Sequence, residues 1–264
     1  MRRSLFVVVL VFTAPLSALA QTPTPERPAA SPAASGGTPA APTAEASAAS
    51  VGTLFRDLRR DLLHLPSTAN ALTLAIGGAF ALAAHPGDRA FTAQVIGAER
   101  LEEVFDAGGP TGSGWMQIGG ALGTYVLGRG VGNAPVQAVG AALVRAQVLN
   151  TLMTQGIKVA VRRTRPDEGG YSFPSGHTSG TFATATVLQR QFGWRVGLPA
   201  YGLAAYVAQS RLLENRHYAS DVIFGAAVGI VAGRTVSIQH AGRVFEVAPA
   251  VVPGGAAIVF TRTR

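Results

Sequence analysis

The sequence predicts an all-α protein, a helical bundle of about six core helices with a short C-terminal β-hairpin. Three observations lead there. Apolar stretches of helix length follow one another from Val51 to Gly233, with Pro and Gly where helices would stop. Alternating stretches are confined to Arg243–Val247 and Ala257–Thr261, with Pro253-Gly254-Gly255 able to turn between them. No cysteine is present, so stability must come from packing rather than from a disulfide framework.

The first fifty residues stand apart from this bundle. Residues 1–20 read as a secretory signal, with Arg2 and Arg3, an apolar core from Leu5 to Phe12 and a small-residue cleavage site at Ala18-Leu19-Ala20. An uncleaved anchor is the alternative. Residues 21–50 are rich in Pro, Ala, Ser and Thr, with no large apolar side chain to bury, and read as a disordered tether. The helical domain is then 51–240 and the hairpin tail 241–264.

Within the domain, Val51 to Leu65 places Leu54, Leu58, Leu62 and Leu65 on one face, with Arg56, Arg59, Arg60 and Asp61 elsewhere, before Pro66 stops the helix. That face is expected to pack on its own domain. Ser67 caps a second helix to about Ala84, which ends at His85-Pro86-Gly87. Residues 89–106 form one or two helices with Glu99, Glu102 and Glu103 outward. Ala107–Gly114 is a glycine-rich loop without a phosphate-loop lysine and receives no chemistry. Trp115–Leu127 is helical, and Asn133-Ala134-Pro135 opens a long helix expected to run through Lys158 to Arg165, where Pro166 ends it. Helices follow from Ser175 to about Phe192 and from about Gly197 through Arg211. The last starts near His217 and carries Gly225, Gly229 and Gly233 at four-residue intervals, a face suited to close helix contact.

Three pieces between Lys158 and Asp221 carry the chemistry. Lys158 and Arg165 are seven residues apart, which on a helix returns both cations to one face and to one oxyanion. Arg165 can grip two oxygens while Lys158 acts as a compact point charge. Pro174-Ser175-Gly176-His177 before an apolar run reads as a helix start, where free amides favour an anion and Gly176 lets the backbone approach it. His217 and Asp221, four apart, stack on a helix so that the carboxylate fixes one ring nitrogen and leaves the other as a nucleophile. Singly, each piece has an ordinary reading as a dipole partner, a cap or a surface pair. Together, they occur once and in this order. Lys158 is also the sole lysine among 22 basic residues.

With these motifs in place, the chain resembles the type 2 phosphatidic acid phosphatase and vanadium haloperoxidase superfamily. Its pattern K-x6-R-P, P-S-G-H and S-R-x5-H-x3-D is matched without substitution over 158–221, and the resemblance extends over about 51–237 in helix count and order. It implies the PAP2/haloperoxidase-like bundle. It also implies that His217 takes up the phosphoryl group as phosphohistidine, oriented by Asp221, and that His177 protonates the leaving oxygen and then activates water. Lys158, Arg165 and Arg211 would hold the phosphate oxygens with the Ser175 hydroxyl and the Gly176 amide. The resemblance implies no metal and no cofactor.

The function expected is therefore metal-independent hydrolysis of phosphomonoesters or diphosphates outside the cytoplasm, by an exported, periplasmic phosphatase. The substrate is a phosphorylated small molecule or a lipid phosphate. The alternatives are a vanadate-dependent haloperoxidase using the same pocket and a non-catalytic tethered binding module. The Ala- and Gly-rich helices and short apolar runs favour a soluble or membrane-associated domain over an integral inner-membrane one. The basic balance suits anionic substrates or a membrane surface. No basic-aromatic stripe marks a nucleic-acid binder. His64, His85 and His240 lack partners at ligand spacing and are expected at the surface or at helix ends.

Overall fold

The computed structural model describes residues 50–96, 99–238, 244–252 and 255–263. The expected signal, nearly all of the tether, and His240 lie outside them. Ten helices lie among the described residues: α1 (Val51–His64), α2 (Thr68–Ala84), α3 (Asp88–Val95), α4 (Glu99–Phe105), α5 (Gly108–Gly112), α6 (Gly114–Gly130), α7 (Ala134–Val161), α8 (Gly176–Phe192), α9 (Trp194–Leu213) and α10 (Ala219–Thr235). Six of them (α2, α6, α7, α8, α9 and α10) have 17 residues or more and correspond to the expected core.

Local chemistry sets many of the helix starts. Ser50, Ser67, Ser113, Asn133 and Ser175 each accept a hydrogen bond from a first-turn amide, satisfying donors that the helix itself cannot. The 28-residue α7 is the spine of the bundle, packing on α6, α8 and α10. In turn α10 packs on α8 and α2, and α8 on α9. The core where α7, α8 and α10 meet holds Ala146, Leu149, Ala183, Val187 and Ala232, all excluded from solvent. These are mostly small side chains, so the helix axes can come close.

The α10 glycines show how close. A Cβ on Gly229 would lie 2.2 Å from the Ser179 carbonyl oxygen, one on Gly233 2.6 Å from that of Ala183, and one on Gly225 2.8 Å from that of Ser175. The neighbour that the glycine spacing calls for is α8, the helix opened by Pro174-Ser175-Gly176-His177.

In α1 the expected division of faces is only partly right. Leu54, Leu58 and Leu65 are half-buried, whereas Leu62 is exposed and Asp61 is buried. Asp61 is held there by an ion pair with Arg145 of α7, and its other oxygen accepts from the Ser237 amide at 3.0 Å. A charge can occupy the buried face because its partner is buried with it. The expected start near Gly197 is also corrected: α9 begins at Trp194, with Gly193 at φ 76° as the residue that reverses the chain after α8.

The established fold is the helical bundle, and the C-terminal hairpin remains an expectation of the sequence.

Large apolar side chains are exposed along two of the long helices. On α2, which has no charged residue, Leu72, Ile76, Phe80 and Leu82 are all exposed. On α6 the same holds for Trp115, Met116, Leu122, Val126 and Leu127. Among the described residues one continuous helical stretch, Thr68–Val95, is long and apolar enough to cross a membrane by length and composition.

Candidate active site

The C-terminal end of α7 does not follow the expected path. The helix stops at Val161, because Arg162 adopts the left-handed conformation (φ 52°) and its amide closes on the Lys158 carbonyl. Lys158 and Arg165 therefore do not share a helix face. A tight loop joins them instead, with Thr164 bridged to Tyr171 and the Arg165 amide donating to the Gly170 carbonyl at 3.0 Å. Lys158 Nζ donates to the carbonyls of Tyr171 (2.9 Å) and Ser172 (3.1 Å), and Arg165 Nε to that of Tyr171 (3.3 Å). The two cations meet as expected, but through a loop. Arg216 braces that loop, donating to Asp167 at 2.7 Å.

Ser175 is the N-cap of α8, fully buried, and its Oγ accepts from the Thr178 hydroxyl at 2.9 Å. Gly176 and His177 occupy the first turn, where helix amides lack partners of their own. The Ser175 amide donates to the Asp221 carbonyl at 3.0 Å, which ties the start of α8 to the start of α10. His177 has Arg211, His217, Arg165 and Lys158 within electrostatic reach.

His217 and Asp221 do not stack on one helix either. The N-cap of α10 is Tyr218, so His217 precedes the helix and Asp221 is in its first turn. Asp221 Oδ2 accepts from the Tyr218 amide at 2.9 Å and lies 3.6 Å from His217 Nδ1. The capping carboxylate thus faces back toward the histidine. The His217 amide donates to the Arg211 carbonyl at 3.2 Å, so the end of α9 fixes its backbone. Burial above all holds the His217 imidazole below its ordinary titration range; Asp221 opposes this, and Lys158 and Arg165 reinforce it. That shift favours the neutral ring, the form in which one nitrogen keeps a lone pair for attack.

Arg211 is buried and ion-paired with Glu214, and its Nε donates to Ser210 Oγ at 3.3 Å. All eight expected residues thus come from four neighbouring places: the α7 end with its loop, the α8 start, the α9 end and the α10 start.

Sequence reasoning missed three features. Arg163 donates from Nη1 to Asp221 Oδ1 (2.9 Å) and to Ser220 Oγ (2.7 Å), so a second cation, not named by the motifs, grips the orienting carboxylate. Glu214 engages Arg211; its i, i+3 spacing from Arg211 was the available signal. The glycine-rich stretch 107–114 forms α5 and abuts the site. A Cβ on Gly109 would sit 2.6 Å from Arg211 Nη2, and one on Gly112 3.1 Å from His177 Cβ.

This constellation lies within a segment of known type: residues 137–245 match the sequence model of the PAP2 superfamily. Over that segment the chain is similar to the PAP2 superfamily. It is 42% identical over 85 residues to the lipid A 1-phosphatase of Porphyromonas gingivalis, covering 31% of this chain and 19% of that protein. It is 38% identical over 97 residues to the decaprenylphosphoryl-5-phosphoribose phosphatase of Mycobacterium tuberculosis, covering 33% of this chain and 53% of that one. The chain therefore spans about half or less of these two curated relatives. Among solved structures, the first transmembrane PAP2 type phosphatidylglycerolphosphate phosphatase from Bacillus subtilis aligns with a TM-score of 0.49 at 21% identity, over 64% of this chain and 92% of that one.

Proposed function

We propose that the protein is a phosphatase that hydrolyses lipid phosphates or diphosphates at a membrane through a phosphohistidine. The observation that carries this reading is the convergence of Lys158, Arg165 and Arg211 with His177 and the Asp221-oriented, neutral His217. Three cations suit the oxygens of a transferring phosphoryl group, whose chemistry depends more on positioning and charge than on covalent assistance.

In the first step the free nitrogen of His217 attacks phosphorus. The bond to the leaving oxygen breaks with its electron pair, and His177 supplies the proton. The pKa of His177 is pushed down to about 4 by burial and the surrounding cations, until the incoming phosphate anion offsets them and restores that proton. In the second, His177 takes a proton from water, the water oxygen bonds to phosphorus, and the pair of the P–N bond returns to the His217 ring. Lys158, Arg165, Arg211, the Ser175 hydroxyl and the Gly176 amide hold the phosphoryl oxygens in both steps. On phosphate entry Arg211 exchanges Glu214 for a phosphate oxygen.

The relatives' names concern lipid-linked phosphates, and the exposed apolar faces of α2 and α6 support a lipid setting for this chain. In water those faces would be a liability; in hydrocarbon they need no partner. The integral alternative weighed from sequence is thereby favoured over a soluble domain. The small soluble phosphoester drops to second place, and export rests on residues 1–20.

The experiment is phosphate release in EDTA from a detergent-dispersed polyprenyl diphosphate and from p-nitrophenyl phosphate, with His217→Ala alongside. Release that favours the lipid and disappears in the variant is the expected result. Release that survives in His217→Ala, or none from either substrate, would overturn the reading.

A further inference from the structure

Asp221 is not only the partner of His217; it ends a buried chain of charges that begins on another helix. Arg163 bridges two carboxylates. Its Nη1 holds Asp221, and its Nη2 donates to Asp88 Oδ2 at 2.8 Å. Asp88, in the first turn of α3, also accepts from the Ser220 amide at 3.0 Å and from the Ser220 hydroxyl. The two acids are almost completely buried, with side-chain exposures of 2% and 0%. The guanidinium lies 4.0 Å over the Tyr218 ring, which fixes its plane between them. Asp88 lies outside the segment matched to the family, and neither Asp88 nor Arg163 occupies a motif position.

The charge count gives this arrangement a consequence. Arg163 and Asp221 alone would be a neutral pair, and a guanidinium 2.9 Å from the carboxylate would draw its field away from His217. With Asp88 on the far side of the same guanidinium, the two carboxylates and Arg163 hold two negative charges against one positive, and the exposed His85, its Nδ1 3.3 Å from Asp88 Oδ2, adds a positive charge only when protonated. The other groups that face His217 are Lys158, Arg165, Arg211 and His177, with Glu214 occupied by Arg211. A net anionic cluster is therefore what opposes that cationic wall when the ring acquires positive charge on taking up the phosphoryl group.

We propose that Asp88 is a positioning residue for the nucleophile, sharing Arg163 with Asp221 so that Asp221 keeps the charge and orientation that stabilise the phosphorylated His217 ring. The inference rests on the phosphohistidine reading. It adds a residue from outside the motifs that acts on kcat without touching phosphate.

The test compares wild type, Asp88→Asn, Asp88→Glu and His217→Ala, following kcat, KM and the pH profile together with thermal unfolding. In Asp88→Asn, kcat is expected to fall about tenfold, the scale on which outer partners of a catalytic group act. KM should stay within about twofold, because no phosphate contact is lost. The acidic limb of kcat/KM should move to lower pH, because removing a negative charge destabilises the imidazolium. Asp88→Glu should restore part of kcat and return the limb toward wild type. A folded Asp88→Asn with unchanged kcat and an unmoved limb would overturn the proposal. If Asp88→Asn does not fold, Arg163→Lys replaces it: a lysine cannot fork between two carboxylates, so kcat should fall several-fold at unchanged KM, and wild-type kcat would overturn the proposal. An active His217→Ala sinks the underlying site reading; an inactive one beside a wild-type-like Asp88→Asn sinks only the role of Asp88.

Discussion

Two buried arginine–carboxylate clusters sit at the two ends of α10, and they do different work. Beyond the C-terminal end, Asp61 of α1 pairs with Arg145 of α7, and Arg145 also donates to Ser237 Oγ at 3.0 Å and to its carbonyl at 2.7 Å. At the N-terminal end, Asp88 and Asp221 share Arg163. The first cluster pairs Asp61 with Arg145, has Arg190 within electrostatic reach, and closes on backbone. It fastens α1 to the spine and leads nowhere. The second carries an extra carboxylate and opens on His217. The same residue types make an anchor where the carboxylate closes on backbone and a poised site where it opens on a histidine.

Four predictions would break or sharpen that contrast. His217→Ala should reduce kcat by about a thousandfold or more while thermal unfolding stays near wild type, since a nucleophile has no substitute; appreciable turnover would contradict the assignment. Asp221→Asn should cost about a hundredfold in kcat with little change in KM, because an amide neither carries the charge nor fixes the ring in one tautomer. At the other cluster the effect should be reversed in kind. Asp61→Asn leaves a buried Arg145 uncompensated and should cost about 3–5 kcal/mol of stability, with kcat per folded molecule unchanged and no shift of the pH profile. A kcat loss there to match that of Asp88→Asn would erase the distinction between anchor and site. The smallest effect is that of pH on wild type. Because the His217 titration is depressed, the ring stays neutral as pH falls through 6.5, and kcat/KM should decline only below that value. An acidic limb at or above 6.5 would show the ring to be less buried, or more strongly held by Asp221, than the geometry indicates.

Much of the candidate site was legible in the sequence because its residue types and intervals match the pattern of the family the chain resembles, and the structure brings those positions together. The four-residue glycine spacing of α10 also announced close packing before the partner was known. The local geometry was less legible. Seven-residue and four-residue intervals suggested shared helix faces. Yet a left-handed Arg162 ends α7 before Arg165, and Tyr218 starts α10 after His217. Ends of helices are decided by caps and tertiary hydrogen bonds that periodicity does not report. Asp88 was invisible for a different reason. Its partner Arg163 is 75 positions away, and nothing local distinguishes it from a helix-start aspartate. Asp61 was misplaced on the outer face because burial of a charge is licensed only by a partner on another helix. The glycines of α5 read as a plain loop because their use is to admit Arg211 and His177 at close range, a contact that sequence spacing cannot show.

The measurement closest to the central claim is to trap the covalent intermediate. Wild type, Asp221→Asn and His217→Ala would each be mixed with substrate labelled in the transferring phosphoryl group, quenched in alkali within a turnover, and assayed for label on the chain. The account predicts an acid-labile, alkali-stable label that maps to His217, is present in wild type and is absent from His217→Ala. Label at another residue, or label retained in His217→Ala, would contradict it.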